Sequence, residues 1–333
     1  MARIADIAKA AGVSTAVVSR VINQDKTLRI SEETRTRVLK TIEEFDYTPN
    51  SAASSLRSSK SGLIALVVDD VTNPITTEIL RGAQDRATSF GQAILIGEVS
   101  ALDDRFSRIQ RFIGGNGVDG LIIHTSSISD QVVEQTAKKD FPTVLLQAES
   151  KAEVVSLSLP DREATELATR HLLELGHVRI ACLAAVRARA HTQRRIDGWA
   201  STMKSAGFGI DEGLLEISDQ SIDDGRRMTR KLLSAQPAIT GLVCCNLVSA
   251  IGALEAALQM DIKVPEDLSI ISIHDIELAR HLRVPLTTVK MPLFDLGVHA
   301  MEIIQEEPGT SSAHMIVHEQ PELILRSSTR ALA

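Results

Sequence analysis

IADIAKAAGVSTAVVSRVIN, residues 4–23, is two short amphipathic runs joined at one glycine. In the first, Ile4, Ile7, Ala8 and Ala11 fall on one stripe, and Gly12 is placed to end it in a left-handed turn. In the second, Ser14 is an N-cap, and Val17, Val18 and Val21 face inward. Small Ala8 lets the two helices cross closely. This is a helix-turn-helix pattern. The outer face of its second helix offers Thr15, Ala16, Ser19, Arg20 and Asn23. Thr15 and Ala16 stand at the N-terminal end, the part that reaches base edges. Arg20 can bond guanine through two atoms or hold a phosphate. An ordinary three-helix bundle with a solvated polar face has the same pattern. A third helix is expected from Ser31 to about Phe45, with Glu32 and Glu33 where the helix dipole favours them.

Working outward, charge separates this head from the rest. Net charge is -7, but residues 1–60 alone carry +3, so the remainder carries -10. A basic head on an acidic body suits a chain that meets nucleic acid at one end. The length of 333 residues implies more than one core, and with 3% aromatics those cores are aliphatic. Past Gly62, apolar β-branched runs alternate with helical stretches: LIALVVDD, QAILIGEV, GLIIHT, PTVLLQ, RIACLAA, GLVCCN and LSIISIH. Continuous apolar strands separated by helices imply parallel sheets covered on both faces. There are too many for one compact sheet, so two α/β subdomains are expected. Crossings between them are expected near residues 154–164 and 287–297.

Other classes find little support. Cys182, Cys244 and Cys245 lie in apolar runs and read as buried, reduced thiols of a cytoplasmic protein. No CxxC or His pairing suggests a metal, and no cofactor motif is present. No Gly-x-Ser-x-Gly elbow or phosphate loop suggests an enzyme. The N-terminus lacks a signal-peptide core and no stretch is long enough to span a membrane, which argues against a membrane protein or a secreted solute-binding protein.

The residues 4–23 above, followed by TRTRVLKTIEEFDYTPNSAASSLRSSKSGLIALVVDDVTNP, resemble the lactose-repressor (LacI/GalR) family of bacterial transcription regulators. The resemblance continues through HLLELGHVRIACL, RRIDGWASTMKSAG, VPEDLSIISIHD, PLTTVKMP and PELILRSST. It implies an all-α helix-turn-helix domain at 1–47, a hinge at 48–61, and an effector-binding and dimerisation body at 62–333. The body resembles a type I periplasmic binding protein, with an N-subdomain of about 62–160 and 290–320 and a C-subdomain of about 161–289 and 321–333. It further implies a homodimeric repressor on a palindromic operator, with an effector between the lobes. In the hinge, Ser51, Ala52, Ser55 and Arg57 would meet the minor groove of DNA, and Leu56 would wedge between base pairs. Some members of the family answer chiefly to a protein partner, and that alternative stays open here.

Ligands in open α/β sheets sit beyond the carboxyl ends of strands. That rule selects Asp69, Asp70, Asn73, His124, Thr125, Gln147, Asn246 and His274. The resemblance adds Arg195 as a clamp for hydroxyls or a carboxylate. It also marks departures: Gln147, Leu247 and His274 stand where the family usually has Asp, and Leu293 where some sugar-binding members have an aromatic. With acidic acceptors missing, a sugar, polyol, nucleoside or acidic metabolite all fit. Arg195, His274 and Arg194 could favour an anion. Asp275 reads as a helix N-cap or a ligand contact, Arg194 as a ligand or surface charge, and His124 as a ligand or a strand-end histidine bonded to a carbonyl.

Overall fold

The computed structural model describes residues 2–22, 25, 27–47, 60–99, 117–125, 130–137, 141–152, 154–185, 189–306 and 314–332. The chain forms two compact units, Met1–Ser61 and Gly62–Ala333.

The first unit holds α1 (Ile4–Ala11), α2 (Thr15–Ile22) and α3 (Glu32–Glu44). Gly12 closes α1 at φ 67°, where a side chain would be strained, and Val13 N–H donates back to the Ala8 carbonyl at 3.0 Å. Ser14 Oγ accepts from Val17 N–H at 3.3 Å, and Ser31 Oγ from Thr34 N–H at 3.2 Å, satisfying amides that each helix start leaves free. Ile7, Ala8, Ala11, Val18, Val21 and Val38 make the core, with Val17 only partly buried against it. Arg37 Nε donates to the Ala11 carbonyl at 3.0 Å and ties α3 to the end of α1.

The second unit contains two six-stranded sheets. The first is formed by β1 (Leu63–Val68), β2 (Ala93–Glu98), β3 (Gly120–His124), β4 (Thr143–Leu146), β5 (Val155–Ser158) and β11 (His314–Ile316), in the order β11-β5-β4-β3-β1-β2. Its pairings are all parallel. The second is formed by β6 (Ile180–Ala184), β7 (Leu215–Ile217), β8 (Gly241–Cys244), β9 (Ser269–Ile273), β10 (Thr287–Lys290) and β12 (Glu322–Ile324), in the order β12-β10-β9-β8-β6-β7. Here only β12 runs antiparallel, against β10. The helices between strands are α4 (Pro74–Ser89), α5 (Asp130–Ala137), α6 (Asp161–Glu174), α7 (Ala190–Ser205), α8 (Ile222–Ala235), α9 (Leu247–Gln259) and α10 (Leu293–Gln305). Central strands such as β1, β3 and β6 are buried nearly throughout, which explains their unbroken apolar runs.

The chain passes between the sheets three times: from β5 to α6, from β10 to α10, and from β11 to β12. The first two passages share one device. Pro160 and Pro292 stand at the N-caps of α6 and α10 with φ,ψ of -73°,64° and -75°,62°. The amide after each proline bonds the carbonyl before it at 2.8 Å, Asp161 to Leu159 and Leu293 to Met291, which makes two inverse γ-turns. Proline suits the position because it sets φ and carries no amide to leave unpaired. The segment 154–164, where a crossing was expected, holds β5 as well as the first passage.

The helix pair α4–α10 packs backbone to backbone. A β-carbon on Gly82 would overlap the Phe294 carbonyl, and one on Gly297 the Ile79 carbonyl. The lone tryptophan, Trp199, is buried on the inner face of α7 and donates from Nε1 to the Ile180 carbonyl at 3.2 Å. The three cysteines are free and buried, and their thiols are pushed up at Cys182 and Cys244. For Cys182 the leading cause is its contact with Cys245, for Cys244 it is burial.

Candidate functional site: a histidine-lined cleft between two lobes

Both sheets point the carboxyl ends of their strands at one cavity of about 220 Å³. The first lobe contributes Asp69 and Asp70 after β1, Asn73 at the cap of α4, His124 and Thr125 at the end of β3, and Gln147 after β4. The second contributes Arg189, His191 and Arg195 from the start of α7, Asp219 and Gln220 after β7, Asn246 after β8 and His274 after β9. All seven residues selected as effector contacts, Asp70, Asn73, His124, Gln147, Arg195, Asn246 and His274, therefore line one space. Arg189, His191, Asp219 and Gln220 were not selected. His191 stands one helical turn before Arg195, and that i, i+4 spacing was its available signal. Asp219 and Gln220 follow a strand of three residues, too short to read.

Several of these side chains already have structural work. Asn73 and Asn246 cap α4 and α9, accepting from Ile75 N–H at 3.1 Å and Ser249 N–H at 2.8 Å. Asp70 accepts from the amide and hydroxyl of Thr72 at 2.7 and 2.6 Å. Thr125 donates to Asp69. Gln147 and His274 occupy matching places in the two lobes: each follows the fourth strand of its β-α-β series, at φ 58° and 73°. Each bonds its amide to the next strand, at Leu157 and Val289 carbonyls, both 2.9 Å. A left-handed non-glycine residue costs about 1 kcal/mol or more and persists where surroundings over-determine it.

Behind the cleft wall lies a buried ionic network. Asp161, 1% exposed, accepts from Arg195 Nε at 2.8 Å, Arg194 Nη2 at 3.1 Å and Gln147 Nε2 at 3.2 Å. Gln147 Oε1 in turn accepts from Leu159 N–H at 2.8 Å, so this amide ties β4 to the first passage between lobes. Arg195, 3% exposed, also donates to the Cys245 carbonyl at 2.5 Å and makes a 3.0 Å hydrogen bond with His274 Nε2. Arg189 donates to Gln220 Oε1 at 2.7 Å, and burial lowers its pKa against the pull of Asp69.

Three histidines face the space, and all are held uncharged. Burial pushes His124 down to about 4, against the pull of Asp69. Burial, then Arg195, pushes His191 down to about 3. Burial and the same guanidinium keep His274 well below its ordinary range. The walls add aliphatic surface from Ile75, Ile79, Leu146, Leu159 and Leu293, with no Phe, Tyr or Trp among the described lining residues.

Two expectations are corrected, for Arg194 and Asp275, and for His124 one of two readings is set aside. Arg194 is neither a ligand contact nor a free surface charge, because it bonds Glu149, Ser158 and Asp161 at 3.0–3.1 Å. Asp275 is neither an N-cap nor a ligand contact. It holds Arg326 at 2.8 and 3.1 Å and the Thr288 hydroxyl at 2.7 Å, while Ile276 stands at the cap of the short helix that follows. His124 makes no carbonyl bond among the described residues and faces the cavity instead.

In the first unit, Thr15, Ala16 and Arg20 are exposed on α2 and Ser19 is half-buried. Arg20 donates to Asp25 Oδ2 and to Thr27 Oγ1, each at 2.7 Å, so its fork is held in one orientation. The Thr27 hydroxyl and then Arg20 lower the Asp25 carboxyl to about 2. Asn23, Ser51, Ala52, Ser55, Leu56 and Arg57 lie outside the described residues. No described helix is long and apolar enough to cross a membrane, and no described cluster of three or more His, Cys, Asp or Glu residues could hold a metal ion.

A helix-turn-helix unit followed by two α/β lobes around a polar cleft is the build of a ligand-responsive DNA-binding regulator. The comparisons agree. The profile of bacterial regulatory proteins of the lacI family matches residues 3–50, and that of the periplasmic binding protein-like domain matches residues 169–329. The HTH-type transcriptional regulator DegA of Bacillus subtilis is 34% identical over 99% of this chain and 98% of its own. The HTH-type transcriptional repressor PurR of Vibrio vulnificus is 30% identical over the whole of both chains. Among solved structures, the Lac repressor dimer bound to operator and an anti-inducer matches with a TM-score of 0.83, at 25% identity over 99% of both chains. A LacI-family regulator of Enterococcus faecium with bound ribose matches at 0.72 and 26% identity, over 81% of this chain and all of that one. The chain belongs to the LacI family of bacterial transcriptional regulators. It is a DNA-binding regulator and not an enzyme, and its periplasmic-binding-protein-like unit is the effector-binding part.

Proposed function

We propose that the protein is a repressor that binds a palindromic operator as a homodimer, and that an uncharged, hydroxyl-rich small molecule in the cleft adjusts its affinity for DNA. The observation that carries the effector class is the charge balance of the cleft. Asp69, Asp70 and Asp219 face Arg189 and Arg195, and Arg195 is already neutralised by Asp161. The three histidines add no charge. An anionic ligand would meet no surplus cation. Sugars and polyols, with many hydroxyls and no charge, match a lining of amides, carboxylates and neutral imidazoles. The ribose-bound relative supports this class. The operator reading rests on the exposed face of α2 and on family membership, with the 48–61 segment as the hinge that joins the two functions.

Fluorescence anisotropy on DNA from upstream of the protein's own gene tests it. Two chains should bind one symmetric site, and an uncharged sugar or polyol should shift that affinity, while the corresponding aldonates should not. Binding of one chain per site, or a response to anions alone, would refute the proposal.

A further inference from the structure

The cleft contains two imidazoles whose proton positions are fixed by their partners. His274 Nε2 faces Arg195 Nη2 at 3.0 Å. A guanidinium only donates, so His274 Nε2 must be the bare, accepting nitrogen and Nδ1 must carry the proton. That Nδ1 is buried, and it has no partner among the described residues. The residue is 3% exposed and lines the cavity. His191 Nδ1 faces the Gln147 carbonyl at 3.1 Å. A carbonyl only accepts, so His191 also carries its proton on Nδ1, and its Nε2 is left as a bare acceptor with no partner among the described residues. A buried donor without an acceptor is destabilising, and a ligand acceptor would relieve that cost at His274.

We propose that His274 and His191 read the effector as a pair of opposite polarity: His274 Nδ1–H donates to a ligand oxygen, and His191 Nε2 accepts from a ligand hydroxyl. A hydroxyl both accepts and donates, so an uncharged polyol satisfies both rings. A carboxylate or an ether oxygen satisfies only the first. Arg195 is then a positioning residue that sets the tautomer of His274, and most of its donors are already occupied by Asp161, the Cys245 carbonyl and His274. His191 places the same demand on the other lobe, because its anchor is the backbone of Gln147. This inference rests on the cleft being the effector site.

The test is imidazole ¹⁵N spectroscopy on the full-length protein at pH 7, with the His191→Gln and His274→Gln variants assigning the two rings. Both rings should show a protonated Nδ1 and a bare Nε2 before any ligand is added. Titration then uses D-ribose, D-glucose, xylitol and sorbitol, with the matching aldonates and hypoxanthine as contrasts. An uncharged polyol should move the Nδ1 resonance of His274 and the Nε2 resonance of His191. His274→Leu should weaken that polyol at least tenfold, and His274→Asn, which keeps a donor near Nδ1, should recover most of the affinity. A proton on Nε2 of either ring overturns the proposal. So does polyol binding that leaves both rings unmoved, or a preference for aldonate or hypoxanthine. If ligand stabilisation survives a cavity-filling Leu293→Trp variant with neither ring perturbed, the ligand sits elsewhere and the cleft reading itself fails.

Discussion

Replacing Asp161 with alanine leaves the Arg195 guanidinium 3% exposed and without a counter-charge. What remains around it is the Cys245 carbonyl and the bare nitrogen of His274, neither of them charged. Gln147 Nε2 loses its acceptor as well, while Arg194 keeps Glu149 and reaches solvent. Breaking a buried pair from one side costs about 3–5 kcal/mol, because an uncompensated charge stays inside. With a urea slope of about 2 kcal/mol per molar, the unfolding midpoint should fall by roughly 1.5–2.5 M. The assay is urea unfolding followed by fluorescence of Trp199, which lies one turn beyond Arg195 on the same buried helix and is the only tryptophan in the chain. Asp161→Asn should be almost as costly, since its amide would point a donor at Arg194 or Gln147 in place of an acceptor. The double variant Asp161→Ala, Arg195→Met removes both charges and should lose less than the two single changes added together. A single-variant loss below about 1 kcal/mol, or strict additivity, would mean that Arg195 is compensated by some other group and would refute the network as described.

Arg20→Ala should weaken operator binding by about 1–3 kcal/mol, read by anisotropy, and Arg20→Lys should not restore it because lysine lacks the fork. Leu56→Ala should cut operator affinity and DNA bending strongly with dimer and fold intact; bending measured by end-to-end energy transfer that stays unchanged would reject the wedge. Gly297→Ala forces α10 away from α4 and should cost about 1–3 kcal/mol in thermal or urea unfolding. His124 and His191 titrate in the folded chain at about 4 and about 3, below the ordinary 6.5. Unfolded chains therefore bind protons that the folded one refuses, so stability present above pH 6.5 should drain as pH falls toward 4, by at most about 1.4 kcal/mol per unit for each ring. The slope of the unfolding midpoint against pH should flatten in His124→Gln, and an unaltered slope would contradict its burial as a neutral ring.

The elements that were legible in the sequence are those whose environment is uniform. The runs LIALVV and IACLA are apolar at every position because both faces are covered, and no ambiguity of period arises. Gly12, Ser14 and Ser31 announce helix ends through chemistry that acts within four residues. The edge strands β7, β11 and β12 did not show, since three residues carry no period and their burial is incomplete. At the cleft, the rule of strand ends found Asn246 and His274 but could not say which side chains were already committed. Asp161 illustrates the gap. It follows a proline at a helix start, which reads as a surface N-terminal charge, and only the fold shows that Arg195 arrives from 34 positions away to bury it. Asp275 is the converse: a strand-end acid that looked available and is held by Arg326, 51 positions on.

The three passages between the lobes carry a consequence for how such a regulator can be altered. The helix-turn-helix unit ends at Ser61 and can be exchanged by one crossover in the gene. Neither lobe can, because each is assembled from separated stretches joined at residues 159–160, 291–292 and 317–321. A new operator preference can therefore be inherited as a single block. A new effector preference has to be built in place, one lining residue at a time, while Asp161 keeps hold of Arg195 in its own lobe and of Gln147 in the other.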